Sequence, residues 1–367
     1  MKNLLTWPFY LKLASVLISI MILGYLSILG QDLIIPMIMG LLFAILLVPV
    51  CDSVERRLGF NRSLTAILVS TLGLLLLAFI LYLIGTQVPN FSDNSLVLQK
   101  QLSAAFHDIQ EWVAKTFGIQ KHKQLNYLSE AATKSLSTGT LIIEKALKSI
   151  TYILMLIGFT FLFTLFILIY RRHLVGFIIM SFDKKHKGAV IEVVKSIQNM
   201  VKKYLIGLII QMVLVSILSF IVYAIVGIKY NLLLGVLTGI LNVLPYLGIL
   251  TATIIGVLVT IATSSAANVI WILLGLVIVH AIDGNIIMPK IVGSQVKLNS
   301  LVVVIGLIIG QSAWGGMGML LTIPIMGIAK IIFDRVESLM PWGFLMGDED
   351  YEGVEETASL LPFEEDK

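Results

Sequence analysis

Charge is what this chain has least of. Charged residues fill 13% of its 367 positions, about half the share usual in a soluble domain, so a water-solvated globular fold cannot account for most of the molecule. Cysteine is nearly absent too. The single Cys51 excludes an internal disulfide and any Cys-based metal cluster, and reads as a small apolar filler at a helix end. Catalytic signatures are missing: there is no Gly-rich phosphate loop ending in Lys-Ser or Lys-Thr, no histidine pair at zinc spacing and no nucleophile elbow. The expectation is a protein that is not an enzyme, needs no cofactor and cannot hydrolyse ATP by itself. Any driven transport then draws on an ion gradient, the membrane potential or the solute's own gradient.

What the chain has in abundance is oil. With 58% hydrophobic residues and a mean hydropathy of +0.97, it is expected to be an all-α polytopic membrane protein. Apolar runs at Leu13 to Leu29, Leu33 to Val50, Leu64 to Ile84, Ile150 to Tyr170, Leu205 to Val226 and Val269 to Met288 each suit one span. No small-residue cleavage site follows the first run, and the second starts at once, so the first helix is expected to be retained rather than removed as a signal peptide. Gly30-Gln31-Asp32 leaves room only for a tight turn between the first two helices, and Pro36 and Pro49 are expected near the ends of the second.

Two further apolar stretches do not fit one span each. Asn231 to Ala262 is uncharged throughout and broken by Pro245-Tyr246-Leu247-Gly248. As one helix it would run roughly 48 Å against a hydrocarbon layer of about 30 Å. Proline removes a backbone donor, and Gly248 tolerates positive φ, so the helix is expected to fold back there. Leu301 to Ile332 has the same grammar, with Gln311-Ser312 and Gly315-Gly316-Met317-Gly318 as its interruption. Both first arms carry glycines four apart, Gly235 with Gly239 and Gly306 with Gly310, which bare one helix face for close packing. The expected fold is therefore about six transmembrane helices plus two re-entrant helical hairpins, the alternative being two kinked spans. Broken backbone at membrane depth survives only when buried or facing a watery cavity, and paired broken helices mark the substrate site of a transporter.

Basic residues orient the whole. With a cytoplasmic N-terminus, Lys2, Lys12, Arg56, Arg57, Arg62, Arg171, Arg172, Lys184, Lys185, Lys187, Lys202 and Lys203 fall on one side, and the hairpin reading adds Lys290, Lys297, Lys330 and Arg335. Both termini are then cytoplasmic. Five stretches follow: N-terminal membrane helices over 1–85; an extracytoplasmic amphipathic segment over 86–149, with Leu98, Leu102, Phe106, Ile109, Val113 and Phe117 on one face; membrane helices over 150–228; a transport core with both hairpins over 229–340; and an acidic cytoplasmic tail over 341–367. Within the third, the basic segment 171–203 is expected to rest against anionic lipid head groups, and nucleic acid is not expected as a partner.

Few polar residues lie at membrane depth, and each is a candidate. Asn242, Pro245, Tyr246 and Gly248 at the first tip, with Gln311, Ser312, Gly315, Gly316 and Gly318 at the second, are the candidate substrate pathway. His280, Asp283, Asn285 and Lys290 are the candidate coupling or gate residues, because an ionisable group at this depth is functional by default. Against that stands a simpler role for Asp283 as an end-cap or partner of Lys290. Gln211 and Asp32 are assigned to packing and to a helix end, and Trp314 to an interface anchor.

Three blocks carry a resemblance: Gly239-Ile240-Leu241-Asn242-Val243-Leu244-Pro245-Tyr246-Leu247-Gly248; Ile282-Asp283-Gly284-Asn285 with Pro289-Lys290-Ile291-Val292-Gly293; and Gly316-Met317-Gly318-Met319-Leu320-Leu321 through Pro324. With them the chain resembles the autoinducer-2 exporter family of bacterial membrane transporters, over nearly its whole length. It departs from the family's usual prolines at Ile249 and Ser300. The resemblance implies export of a small polar solute such as autoinducer-2. Other relatives are described as sodium or lithium/proton antiporters, so a coupling proton or sodium ion is a second implied partner. It also implies a homo-oligomer, such as a pentamer, surrounded by membrane lipids. A membrane scaffold that transports nothing and recruits partners through 86–149 is the reading from a third class.

Overall fold

The computed structural model describes residues 8–86, 139–245, 247–264, 266–291 and 298–347. Residues 87–138 of the expected extracytoplasmic segment, Tyr246, the Val292-Gly293 pair, Lys297 and residues 348–367 of the acidic tail lie outside these. The described residues are helical almost throughout, with no strand among them. In order they form α1 (Phe9–Leu29), α2 (Gln31–Leu58), α3 (Arg62–Gly85), α4 (Gly139–Met180), α5 (Lys187–Val226), α6 (Asn231–Leu241), α7 (Leu247–Thr263), α8 (Ala266–Ile282), a π-helical turn (Asp283–Ile287), α9 (Met288–Ile291), α10 (Ser300–Phe333) and α11 (Met340–Met346). Six helices are long and apolar enough to cross a membrane, counting α10 as though it were straight. The molecule is a multi-pass membrane protein.

Two elements outrun their expected bounds. α2 continues to Leu58, which puts Pro49 well inside it rather than near its end. α5 begins at Lys187 and runs unbroken to Val226, so residues 171–180 of the basic segment end α4 and residues 187–203, after the short 3₁₀ turn Lys184–His186, are the first part of a 40-residue rod. That rod is about 60 Å long, twice the hydrocarbon thickness.

The chain divides into two compact units, each discontinuous: Met1–Val48 with Phe159–Lys202 and Val296–Lys367, and Pro49–Gly158 with Lys203–Gln295. In the first, Gly40 of α2 meets the Phe163 backbone of α4, where a Cβ would come within 2.6 Å of Phe163 Cβ. The Thr164 hydroxyl crosses the same junction to the Gly40 carbonyl at 3.4 Å. Asn299 ties the two ends of the C-terminal region together: its Oδ1 caps α10 by accepting from Val302 N at 2.8 Å, and its Nδ2 donates to the Leu345 carbonyl of α11 at 2.6 Å.

α10 folds back on itself. Helical dihedrals fail at Trp314 and at Gly315, where φ is +62° and ψ −145°. Beyond that point Thr322 Oγ1 reaches the Gly306 carbonyl at 3.3 Å, sixteen residues away, a separation of about 24 Å in a straight helix. Gly310 and Gly318 are in backbone contact across the two arms, and Gly306 meets Thr322 and Met326. Gln311 and Ser312 do not interrupt it as expected: both stay helical, and Ser312 Oγ bonds to the Ile308 carbonyl at 2.9 Å.

In the second unit α6 and α7 pack as neighbours with the break at residues 242–246. Leu244 precedes proline and is pushed away from helical backbone, so α6 ends at Leu241 with Asn242 as its C-cap. Gly248 does not supply the expected positive φ. It lies in the first turn of α7 against the Leu241 carbonyl, where any Cβ would collide. Below this turn Tyr223, Ile228, Tyr230, Leu234, Val259, Ile272 and Leu276 form a core that holds α5 to α8 together.

Candidate functional site

A single carboxylate organises the second unit. Along α8, Ile272, Leu276 and Val279 are buried, and continuing that face by one turn places Asp283 inside at 4% exposure. The helix widens there. Pro289 has no N–H and its ring crowds the carbonyl four residues back, and the backbone answers with a π turn in which Met288 N–H donates to the Asp283 carbonyl. Such turns recur at functional sites because they re-aim one side chain.

Two amides from two other helices close on that carboxylate. Gln211 Nε2 of α5 donates to Asp283 Oδ1 at 3.0 Å and to Oδ2 at 3.1 Å, and Asn242 Nδ2 at the end of α6 donates to Oδ2 at 2.8 Å. All three side chains are buried. Glycines make this reach possible. On α5, Gly207 lies against the Ile291 carbonyl, where a Cβ would come within 2.8 Å, and Gly235 and Gly239 of α6 lie against Phe220 and against Met212 and Ser216 of α5. α5 is thereby drawn close to both neighbours, with Gln211 one turn beyond Gly207 on the same face.

An ionised carboxylate in an apolar interior is costly unless it is paired or hydrogen-bonded. Among the described residues no lysine or arginine pairs with Asp283, so its charge rests on the two amides, each such bond contributing about 2 kcal/mol. The cluster is also incomplete: Asn242 Oδ1 and both ring nitrogens of His280 are buried without a hydrogen-bond partner. Two carboxylate oxygens, the Asn242 amide oxygen and a neighbouring imidazole thus lie close together where α5, α6 and α8 meet.

Of the expected site residues, the structure brings Asn242 and Asp283 into contact and puts His280 one turn away on α8. It does not bring in Lys290, which is exposed, or Asn285, which is exposed and donates to the Ala281 carbonyl at 2.8 Å. The simpler pairing of Asp283 with Lys290 is therefore not what holds the carboxylate. Pro245 and Gly248 shape the turn that carries Asn242. Gln211 was the residue missed: expected to serve packing, it is a direct ligand of Asp283, and the signal for it was the lone amide four residues after Gly207 in an otherwise apolar run.

At the other hairpin, Gly315 makes the turn, Gly316 is half-buried, Gly318 is buried in backbone contact with Gly310, and Gln311 and Ser312 are exposed. Trp314 donates through Nε1 to the Ser27 carbonyl of α1 at 3.0 Å. Lys330 is not a solvated marker of topology, being buried within α10 and paired with Asp334 at 2.7 Å.

The fold and the site are those of a multi-pass helical membrane protein with a carboxylate held between helices, and the family it matches is one of transporters. Residues 16–338 match the AI-2E family transporter profile, and the chain is a member of that family. It is 24% identical over 320 residues to YueF of Bacillus subtilis (strain 168), covering 83% of this chain and 84% of that one. It is 22% identical over 312 residues to YrrI of the same organism, covering 82% and 86%. To the AI-2 transport protein TqsA of Escherichia coli (strain K12) it is 20% identical over 321 residues, covering 87% and 90%.

Proposed function

We propose that this protein is a secondary exporter of a small polar solute, autoinducer-2-like in chemistry, in a bacterial inner membrane with both termini cytoplasmic. The observation that carries the reading is the Asp283 carboxylate, buried and bonded by amides from two separate helices. Because each amide sits on a different helix, movement of the α6–α7 hairpin breaks one bond and keeps the other, so the charge of Asp283 and the position of the hairpin are linked. Family membership and similarity to a protein named for AI-2 transport support the exporter side. Re-entrant placement of both hairpins and homo-oligomeric assembly belong to the same proposal.

One observation favours a second reading. A buried acid with no basic partner among the described residues is the group a cation/proton antiporter needs, since it exchanges H⁺ for Na⁺ at one position. Purified protein in liposomes separates the two. Under export with Asp283 linked to hairpin position, Asp283→Asn lowers autoinducer-2 flux and sodium-driven pH recovery is absent even in the wild type; under exchange, the wild type shows sodium-driven pH recovery and the variant loses it. Flux and pH recovery that both persist in Asp283→Asn at wild-type rates would remove Asp283 from either mechanism.

A further inference from the structure

Charge, scarce in this chain, collects at two places in the first unit. From Arg171 to Lys202, seven lysines and arginines stand against Asp183 and Glu192 alone. Lys184, Lys185 and Lys195 are exposed, Lys187 and Lys202 are half-buried, and none of the five makes an ion pair with a described residue. Between this group and Arg172, the end of α4 and the turn after it present Phe177, Met180 and Phe182, each at least half exposed. The second place is the acidic tail. Residues 348–367 hold nine of the chain's 22 acidic residues and a single lysine, in two blocks, 348–356 and 364–366, on either side of Leu360-Leu361-Pro362-Phe363. The tail thus repeats, with opposite charge, the order of the surface: charged, apolar, charged.

The fold fixes where that tail leaves. α11 is pinned to both ends of α10: Asn299 N donates to the Met346 carbonyl at 3.1 Å, Gly343 packs on Asp334, and an added Cβ at Gly347 would come within 3.7 Å of Lys330 Cε. One residue beyond Asp334, Arg335 Nη1 donates to Ser196 Oγ at 3.3 Å, and Ser196 follows Lys195 on α5. The exit at Gly347 is therefore only a few side chains from the basic surface, while twenty residues reach up to about 66 Å. Lipid head groups are the worse placed anion. Lys187 lies about 27 Å along the α5 axis from Leu205, where the apolar run begins. At the usual helix tilt of about 20°, that is some three Debye lengths of about 8 Å.

We propose that the basic surface made by the end of α4, the 3₁₀ turn and the start of α5 is the docking site of the chain's own acidic tail. The two acidic blocks meet the lysines and arginines, and Leu360 to Phe363 meets Phe177, Met180 and Phe182. Blocks of like charge repel within themselves and serve as interaction segments, and bringing the two together relieves both. Single exposed ion pairs contribute little. The tether makes this contact intramolecular, at an effective concentration in the millimolar range, so several weak pairs suffice. Because the pairs are exposed, salt loosens them.

The test is lysine acylation by a water-soluble succinimidyl ester, read by mass spectrometry on the full chain in phosphatidylcholine nanodiscs, whose lipid carries no net charge. Compared with a chain ending at Gly347, the full chain should react several-fold more slowly at Lys184, Lys185 and Lys187, and equally at Lys229, the exposed lysine between α5 and α6. Salt at about 1 M, where the Debye length is about 3 Å, should abolish the difference. The full-length variant carrying Asp348→Asn, Glu349→Gln, Asp350→Asn and Glu352→Gln should behave as the shortened chain does. Carbodiimide, which joins a carboxylate to an amine only where they touch, should link the tail to those lysines within monomers recovered from a denaturing gel. Equal acylation with and without the tail overturns the proposal. So does protection that appears only with phosphatidylglycerol in the disc and survives removal of the tail, which gives the surface to lipid.

Discussion

The two fold-backs of this chain use opposite means to make the same shape. In the first, between α6 and α7, the helix is stopped by Pro245 and its glycine, Gly248, does not adopt positive φ; the glycine face of its leading arm, Gly235 and Gly239, is turned outward onto α5. In the second, within α10, the reversal is made by Gly315 at φ +62°, and the glycine face, Gly306 and Gly310, is turned inward onto its own return arm. The first hairpin is thus fastened to a neighbour and carries Asn242 to a buried charge. The second is closed on itself, and the polar residues before its bend face outward. Glycine spacing identical in sequence serves inter-element packing in one case and self-packing in the other, and of the two bends the first is the one that brings a side chain to the buried Asp283.

The largest effect expected is on closure itself. A Cβ at Gly248 meets the Leu241 carbonyl and one at Gly318 meets the Gly310 carbonyl, and backbone cannot step aside as a side-chain tip does. Gly248→Val and Gly318→Val should each cost about 3 kcal/mol, read as loss of folded protein after extraction or a large fall in Tm. Gly284 on the π turn has open space around it and serves as the control, with Gly284→Ala costing under about 1 kcal/mol. Should Gly318→Val be tolerated as well as Gly284→Ala, α10 is straight and the comparison collapses.

The next effect separates the hairpins by charge. Asp283→Leu removes the acceptor for Gln211 and Asn242 and leaves both amides buried and unpaired, at a cost of about 2 kcal/mol. Asp283→Asn keeps an acceptor oxygen and should lose less than half of that. Gln211→Leu with Asp283→Leu should be less harmful than the sum of the single changes, because residues in contact couple. A Tm series over the four variants checks it, and strict additivity would mean that the amide and the carboxylate do not interact. Exposed Gln311→Leu, at the second hairpin, should shift the Tm by no more than about 0.5 kcal/mol equivalent.

How far the sequence disclosed this follows from what each residue's neighbours could reveal. Long apolar runs declare spans because no other structure tolerates them in lipid, and Pro245 and the Gly315–Gly318 cluster disclosed that two of the runs are interrupted. Which residue makes the turn was not disclosed. Gly248 and Gly315 look alike as letters, and only the path of the chain shows that one provides clearance and the other a left-handed backbone. Asn242 and Asp283 were legible as isolated polar residues in oil. Gln211 was not, since an amide inside an apolar helix has the same appearance whether it bridges helices or holds a charge, and its partner lies 72 residues away. Ser312 misled in the opposite sense: a hydroxyl that bonds to the carbonyl one turn back is satisfied within its own helix and has no need of the tip.

Backbone conformation at the two bends gives the third contrast. Gly315 has nothing within 4 Å of an added Cβ, so Gly315→Ala tests conformation alone. Its φ and ψ fall close to a region that only glycine occupies readily, and the change should cost about 2 kcal/mol. Pro245→Ala requires no forbidden backbone and should stay within about 1 kcal/mol, because Asn242 remains bonded to Asp283 and Gly248 still packs on Leu241. Paired thermal melts give the ordering, and a more damaging Pro245→Ala would show that the first bend, too, depends on local conformation.

The smallest effect concerns what holds the second tip. Trp314 sits at the bend of α10 and donates to the Ser27 carbonyl of α1, a carbonyl whose residue also receives no help from its own hydroxyl, since Ser27 Oγ bonds to Gly24. Trp314→Phe keeps an aromatic ring and deletes one hydrogen bond, about 1 kcal/mol, whereas Trp314→Ala also removes the packed ring and should cost more. Because α1 is exposed along most of its length, few other described contacts hold it to the unit, so the loss should be local. Amide exchange in 24–30 should quicken in Trp314→Phe while exchange in α6 and α7 stays as in the wild type. Equal acceleration in both regions would mean that the second hairpin is not a self-closed element fastened at its tip, and the distinction between the two bends would reduce to the presence of Asp283 beside one of them.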